Sequence, residues 1–185
     1  MAIDPDHSVA VYNVDTGALI GFAKGDVNQI LDISMKSDTV FATSGIKHFK
    51  EWTVGANLTA KTGRFGQKDA RHGTCQYSGE VCLTGAITGE LYIWAGAGIK
   101  EARKLHDKPL DAIHVSQSYV LTGGKDMKVN VLQKTTHTQL FSFSVDPSWK
   151  SICGKVRALC LNAEENKLLV GTLGSEIYQV DFKAA

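Results

Sequence analysis

Apolar and polar residues alternate in short bursts along this chain, and most bursts follow the same small-residue turn. The clearest copy is Thr84-Gly85-Ala86-Ile87-Thr88-Gly89-Glu90-Leu91-Tyr92-Ile93-Trp94: an apolar strand leads in, small residues turn the chain, and an alternating strand closes on a large side chain. Thr122-Gly123-Gly124-Lys125-Asp126-Met127-Lys128-Val129-Asn130-Val131-Leu132 repeats it, and so does the stretch from Val170 to Val180. Thr43-Ser44-Gly45-Ile46-Lys47-His48-Phe49-Lys50-Glu51-Trp52 is a copy one residue shorter at the turn, and the stretch from His7 to Val14 is the tail of a fifth. The closing residues Val14, Trp52, Trp94, Leu132 and Val180 are 38, 42, 38 and 48 residues apart. Alternation with period two marks half-buried strands. A repeat of roughly 40–45 residues with four strands per unit marks a propeller.

The repeat makes residues 1–185 one all-β domain. A partial unit is expected at 6–24, full units at 29–62, 74–105 and 110–144, and a last partial unit at 156–182. Loops at 63–73 and 145–154 join neighbouring units. Segment 98–105 has helix-friendly composition, but its place in the repeat predicts an outer strand. A four-stranded blade buries both faces only between neighbours. The inner strands, such as Ile30-Leu31-Asp32-Ile33, Ala112-Ile113-His114-Val115 and Ala158-Leu159-Cys160-Leu161, are therefore expected to be the most apolar. The first partial unit supplies a third and fourth strand; the last supplies a first, second and third. Joining them would duplicate a third strand. The expectation is an incomplete ring of about four to five blades, with open edges that favour self-association.

Composition narrows the function. The 43% hydrophobic and 21% charged content is ordinary for a globular protein, and a net charge of +1 argues against a broad nucleic-acid face. No apolar run is long enough for a membrane helix, and the acidic start Met1-Ala2-Ile3-Asp4-Pro5-Asp6 has no signal-peptide core. With no such signal, Cys75, Cys82, Cys153 and Cys160 are expected to be reduced, and the three on predicted strands (Cys75, Cys82, Cys160) small and buried. Both pairs have C-x6-C spacing, too wide for a zinc half-site. The six histidines form no metal-binding pair, Gly123-Gly124-Lys125 lacks the rest of a phosphate loop, and no serine sits in a nucleophile elbow. No catalytic residue, metal or cofactor is predicted.

The turns carry fragments of the buried network that ties WD40 blades together. In the fourth unit His106 precedes the inner strand, Thr122 lies on the second and Asp126 in the turn, while Leu132 stands at the Trp position. The third unit keeps Thr84 and Trp94 with Thr88 at the acid position; the second keeps Thr43 and Trp52. The chain therefore resembles a divergent WD40-type β-propeller segment. The runs from Asp6 to Tyr12, Thr43 to Thr53, Leu83 to Trp94, Leu121 to Asp126 and Leu169 to Thr172 resemble, in order and spacing, the first of the two fused propellers of the echinoderm microtubule-associated protein-like (EML) family. The resemblance covers about residues 6–182. It implies a non-catalytic, cytoplasmic and cytoskeleton-associated scaffold with tubulin or microtubules as partners. The family's hydrophobic leader motif and second propeller are not visible in these residues.

Lys47, His48, Lys125 and Lys128 sit at or beside the second-to-third-strand turns and form the candidate partner-facing rim. A generic WD40 scaffold of another intracellular complex and a propeller enzyme with a site in its central channel are the competing readings.

Overall fold

A computed structural model describes residues 7–68, 71–145 and 153–182. Residue 6 of the first expected unit, 69–70 of the first long loop and 146–152 of the second lie outside the described residues. Seventeen strands are seen among those described, and they form five antiparallel sheets. β1 (Val9–Tyr12) pairs β2 (Leu19–Ala23). Three sheets have four strands each: β3 (Ile30–Ser37), β4 (Val40–Gly45), β5 (His48–Val54), β6 (Leu58–Thr62); β7 (His72–Ser78), β8 (Val81–Ala86), β9 (Glu90–Ala95), β10 (Gly98–Lys104); and β11 (Leu110–Val115), β12 (Tyr119–Gly124), β13 (Lys128–Gln133), β14 (Gln139–Ser144). The last holds β15 (Val156–Leu161), β16 (Lys167–Thr172) and β17 (Ile177–Asp181). The first and last sheets do not share strands, so the ring is not closed.

Each turn between second and third strands is set by a left-handed residue. Five positions after the anchoring Thr84, Thr122 and Val170 stand Gly89, Met127 and Ser175, with φ of 83°, 64° and 63°. The shortened turn of the second blade uses Lys47, at φ 52°. These geometries let the chain reverse within a few residues.

Side chains of one inner strand hold the backbone of the next. Asp32 on β3 accepts from the Cys75 amide at 2.7 Å and the Thr74 hydroxyl at 3.0 Å, and Ser34 accepts from the Tyr77 amide. Gln76 on β7 accepts from the Val115 amide, and Arg157 on β15 donates to Asp111 on β11. The inner strands therefore carry polar joints around the axis and are not the most apolar. Burial is greatest in the middle strands β4, β8, β9, β12 and β13, which have strands on both sides and a neighbouring blade on each face. β3 shows the reverse of the expectation: Leu31, Ile33 and Met35 are all about half exposed, because no first or second strand of a preceding blade covers them. Cys160 is exposed on the opposite face of its inner strand, at the other open end of the arc, while Cys75 and Cys82 are buried.

The core changes character along the arc. Between the second and third blades it is aromatic, with Phe49 stacked on Trp94 at a centroid distance of 4.0 Å and Phe65 edge-on to the same indole. Between the fourth and fifth it is mostly aliphatic, built from Leu121, Val129, Val131, Val156, Leu168 and Val170.

Candidate functional site

Strand register makes the blades comparable residue by residue. Thr43, Thr84, Thr122 and Val170 lie opposite Ile33, Cys75, Ile113 and Leu159 on their respective inner strands. In the fourth blade His106 reaches in from the preceding loop. Its Nδ1 lies 2.9 Å from Asp126 Oδ1, and its Nε2 lies 2.9 Å from Thr122 Oγ1. An ionised carboxylate only accepts, so Nδ1 carries the proton and Nε2 accepts from the Thr122 hydroxyl. Asn130 adds a second donor to Nε2 at 3.0 Å and also donates to the Leu105 carbonyl. Gly124 leaves the space: a Cβ there would lie 2.5 Å from both His106 Nδ1 and Asp126 Oδ1.

The second blade holds the same groups in exchanged places. Asp26 stands four residues before β3, as His106 stands four before β11, and His48 comes from the turn side. His48 Nδ1 lies 3.0 Å from Asp26 Oδ2, and Nε2 lies 2.7 Å from Thr43 Oγ1. The Trp52 indole donates to the same hydroxyl at 2.9 Å. Hydrogens therefore run one way, from Trp52 through Thr43 and His48 to Asp26. Lys50, in register with Asn130, donates to the Gly25 carbonyl. His48 is buried at 1% exposure, so it is not part of the rim on which the sequence placed it.

In the third blade Trp94 donates to Thr84 at 2.8 Å, and His72 Nδ1 lies 2.6 Å from that hydroxyl. Its imidazole comes from the first residue of the inner strand rather than from the preceding loop. Thr88 is turned outward and donates to Glu90. The fifth blade has Val170 and Val180 at the hydroxyl and indole positions, packed against the aliphatic core.

Burial holds both His48 and His106 below the ordinary imidazole range despite the carboxylate beside each. Burial alone would raise Asp26, but the bonds from His48 and Asn28 outweigh it and hold the carboxyl at about 2. Asp126 is lowered for the same reason, with His106 as its main stabilising partner. Each pair is therefore a neutral imidazole bonded to an ionised carboxylate at neutral pH. Such a network fixes a blade; it has no open position for a substrate.

The second-to-third-strand turns form one face. Lys47 is exposed beside Ile46, which pairs with Arg71. Ile46, Arg71, Ile87, Asp111 and Lys125 line a recess of about 230 Å³. Lys125 and Arg157 approach Asp111 at 3.4 and 3.1 Å. Lys128 is half-buried and paired with Asp107 at 3.2 Å. Among the described residues no group of three or more His, Cys, Asp or Glu side chains could hold a metal ion.

Sequence reasoning missed Asp26, His48 and His72 as network members. The signal for Asp26 was its spacing from the inner strand, which matches that of His106. His48 stands in register with Lys128, two residues beyond Asp126, so neither count along the fourth blade's spacing, forward from Thr43 or back from Trp52, reaches it.

These features define a WD40-type β-propeller arc with an unclosed ring. No protein-family model matches the chain. Over 136 residues it is 28% identical to "Ciliary WD repeat-containing protein ctxp80" of Euplotoides octocarinatus, an alignment covering 69% of this chain and 19% of that protein. The matched region thus spans about a fifth of the length of that relative. Among solved structures, a chain of the Mitotic Checkpoint Complex superposes with a TM-score of 0.80 at 13% identity, covering 97% of this chain and 58% of that one. The computationally designed Ika4 protein superposes with a TM-score of 0.73 at 16% identity, over 91% of this chain and 100% of the other.

Proposed function

We propose that this chain is the propeller arc of a non-catalytic protein-binding scaffold, and that its partners are tubulin or microtubules in the cytoplasm. The resemblance to the EML family supports this reading, and so does a relative whose own name is that of a ciliary WD-repeat protein. The observation that carries it is the loop face, where Arg71 and Lys125 line a shallow recess with Asp111, Arg157 pairs with that aspartate, and Lys47 is exposed next to Ile46 of the lining. Such a face offers charge and shape to an acidic protein surface, and its contacts weaken with salt. The test is co-sedimentation with microtubules at low and high salt. The chain should pellet at low salt, and Lys47→Glu with Lys125→Glu should cut the pelleted fraction several-fold. A chain that stays in the supernatant under both conditions would leave a scaffold for some other complex. The half-exposed Leu31, Ile33 and Met35 support a second part of the reading, self-association through the open ends. A monodisperse monomer at high concentration in light scattering would remove it.

A further inference from the structure

The turns joining first to second and third to fourth strands lie at the end of each sheet opposite the loop face. There, between the third and fourth blades, a cleft of about 700 Å³ opens. Three cations line it: Lys100 and Arg103 from β10, and Lys134 from the turn after β13. Glu101 is the carboxylate among its lining residues, and it is taken up by a two-pronged bond from Arg103. Lys134 is steadied by the Ser116 carbonyl at 2.9 Å, which leaves further ammonium protons for a ligand, and Lys100 is exposed with no ion pair among the described residues. The cleft therefore holds a fixed excess of positive charge between two packed blades.

The turn that closes the cleft is built against its own conformational preference. In the first sheet the equivalent hairpin bonds the Gly17 amide to the Asn13 carbonyl, and Gly17 takes φ 67°. In the fourth blade the His137 amide bonds the Gln133 carbonyl in the same way, and the Thr136 hydroxyl accepts from the Thr138 amide as Thr16 does from Ala18. His137 holds φ 55° where glycine would be unstrained. Its Nε2 is shut off from solvent without a hydrogen-bond partner, while its carbonyl is held by Arg103. A strained residue with an unsatisfied polar atom, retained beside a cationic cleft, points to a binding role rather than to stability.

We propose that this cleft binds an acidic peptide segment of a protein partner, whose carboxylates meet Lys100 and Lys134 and whose backbone lies against the Thr135–His137 turn. The Thr135 hydroxyl is exposed at its edge and supplies a neutral donor, while that of Thr136 is given to Gln133 Oε1 within the turn. The site is separate from the loop face and does not depend on tubulin being the partner of that face.

Fluorescence anisotropy with labelled hexaglutamate and hexaglutamine tests this. The chain should bind hexaglutamate at low salt, lose it at high salt, and bind hexaglutamine at least tenfold more weakly. Lys100→Glu with Lys134→Glu should weaken hexaglutamate at least tenfold, whereas Lys61→Glu on β6 should leave it unchanged. His137→Gly relieves the turn, so it should weaken binding a few-fold without lowering the melting temperature. That split separates a binding residue from a structural one. No binding of hexaglutamate at low salt, equal binding of hexaglutamine, or full binding by the double reversal would each overturn the proposal.

Discussion

The second and fourth blades close the same network with acid and base exchanged. In the fourth, the imidazole of His106 comes from the loop before the inner strand and the carboxylate of Asp126 from the turn; in the second, Asp26 comes from the loop and His48 from the turn side. Both end in an imidazole held between a threonine hydroxyl and a carboxylate, and both keep a long polar side chain on the third strand, Asn130 or Lys50, bonded to the loop carbonyl before the pair. What persists is the position of the hydroxyl, the imidazole and the carboxylate in space, not their order along the chain. A buried network of this kind stabilises only when every member is satisfied. Either order satisfies it. The fifth blade shows the other solution, with Val170 and Val180 replacing the polar set by packing.

The comparison breaks hardest at the closing residue of the third strand. Trp52→Ala removes a fully buried indole and the donor to Thr43, and should cost about 3–5 kcal/mol by urea denaturation. Leu132→Ala removes packing alone and should cost less, within about 2–5 kcal/mol. Trp52→Phe separates the two parts: it keeps most of the ring and should lose about 1 kcal/mol for the missing N–H. If Trp52→Phe is silent, the indole bond contributes nothing and the second blade is held by packing as the fifth is.

The exchange itself can be reversed. Asp26→Ala and His48→Ala should each cost about 1–3 kcal/mol, because each leaves a buried partner unpaired. The double variant Asp26→His with His48→Asp reinstates the order of the fourth blade and should recover at least half of the combined loss. A double variant as unstable as the sum of the single ones would show that the two orders are not interchangeable. The converse experiment is Val170→Thr. It buries a hydroxyl among Leu159, Leu168 and Val156 with no imidazole to receive it, and should cost about 1–3 kcal/mol.

The sheets were readable in advance because period-two alternation and turn glycines are local properties. Glu90–Ala95 and Lys128–Gln133 lie where the repeat put them, and 98–105 became a strand because its neighbours left no room for a helix. The threonine–indole pairs at Thr43 and Trp52 and at Thr84 and Trp94 were readable too, but the imidazole and carboxylate were readable only where the chain keeps the common order, as at His106 and Asp126. His48 was hidden because it occupies the place of Lys128 at the start of the third strand rather than that of Asp126 in the turn, and a histidine beside a turn lysine looks solvated until the fold brings Asp26 against it. His72 was hidden for a different reason: it leaves the loop and enters the inner strand, a change of backbone path that no spacing records. Exposure on β3 was not legible either, since Leu31 and Ile33 are apolar whether or not a neighbouring blade covers them.

The smallest expected effect is that of acid, and it should not distinguish the two blades. His48 and His106 both have folded pKa values below that of a free imidazole, so the unfolded chain binds their protons more readily. Their contribution is fully present above pH ~6.5 and is lost as the pH falls from there through the folded values. His114 and His137 are lowered by burial as well and act in the same direction. Asp26 has its folded value near 2 and its unfolded value near 3.8, so its contribution persists to pH 3.8 and fades only below it. The melting temperature should therefore fall gently between pH 7.5 and 5 and again below pH 4. His48→Gln should start lower at pH 7.5 and fall less steeply to pH 5, and His106→Gln should change the slope by a similar amount. A slope that responds to one substitution and not to the other would mean that the exchanged order changes how the pair holds its proton, and the two blades would cease to be equivalent.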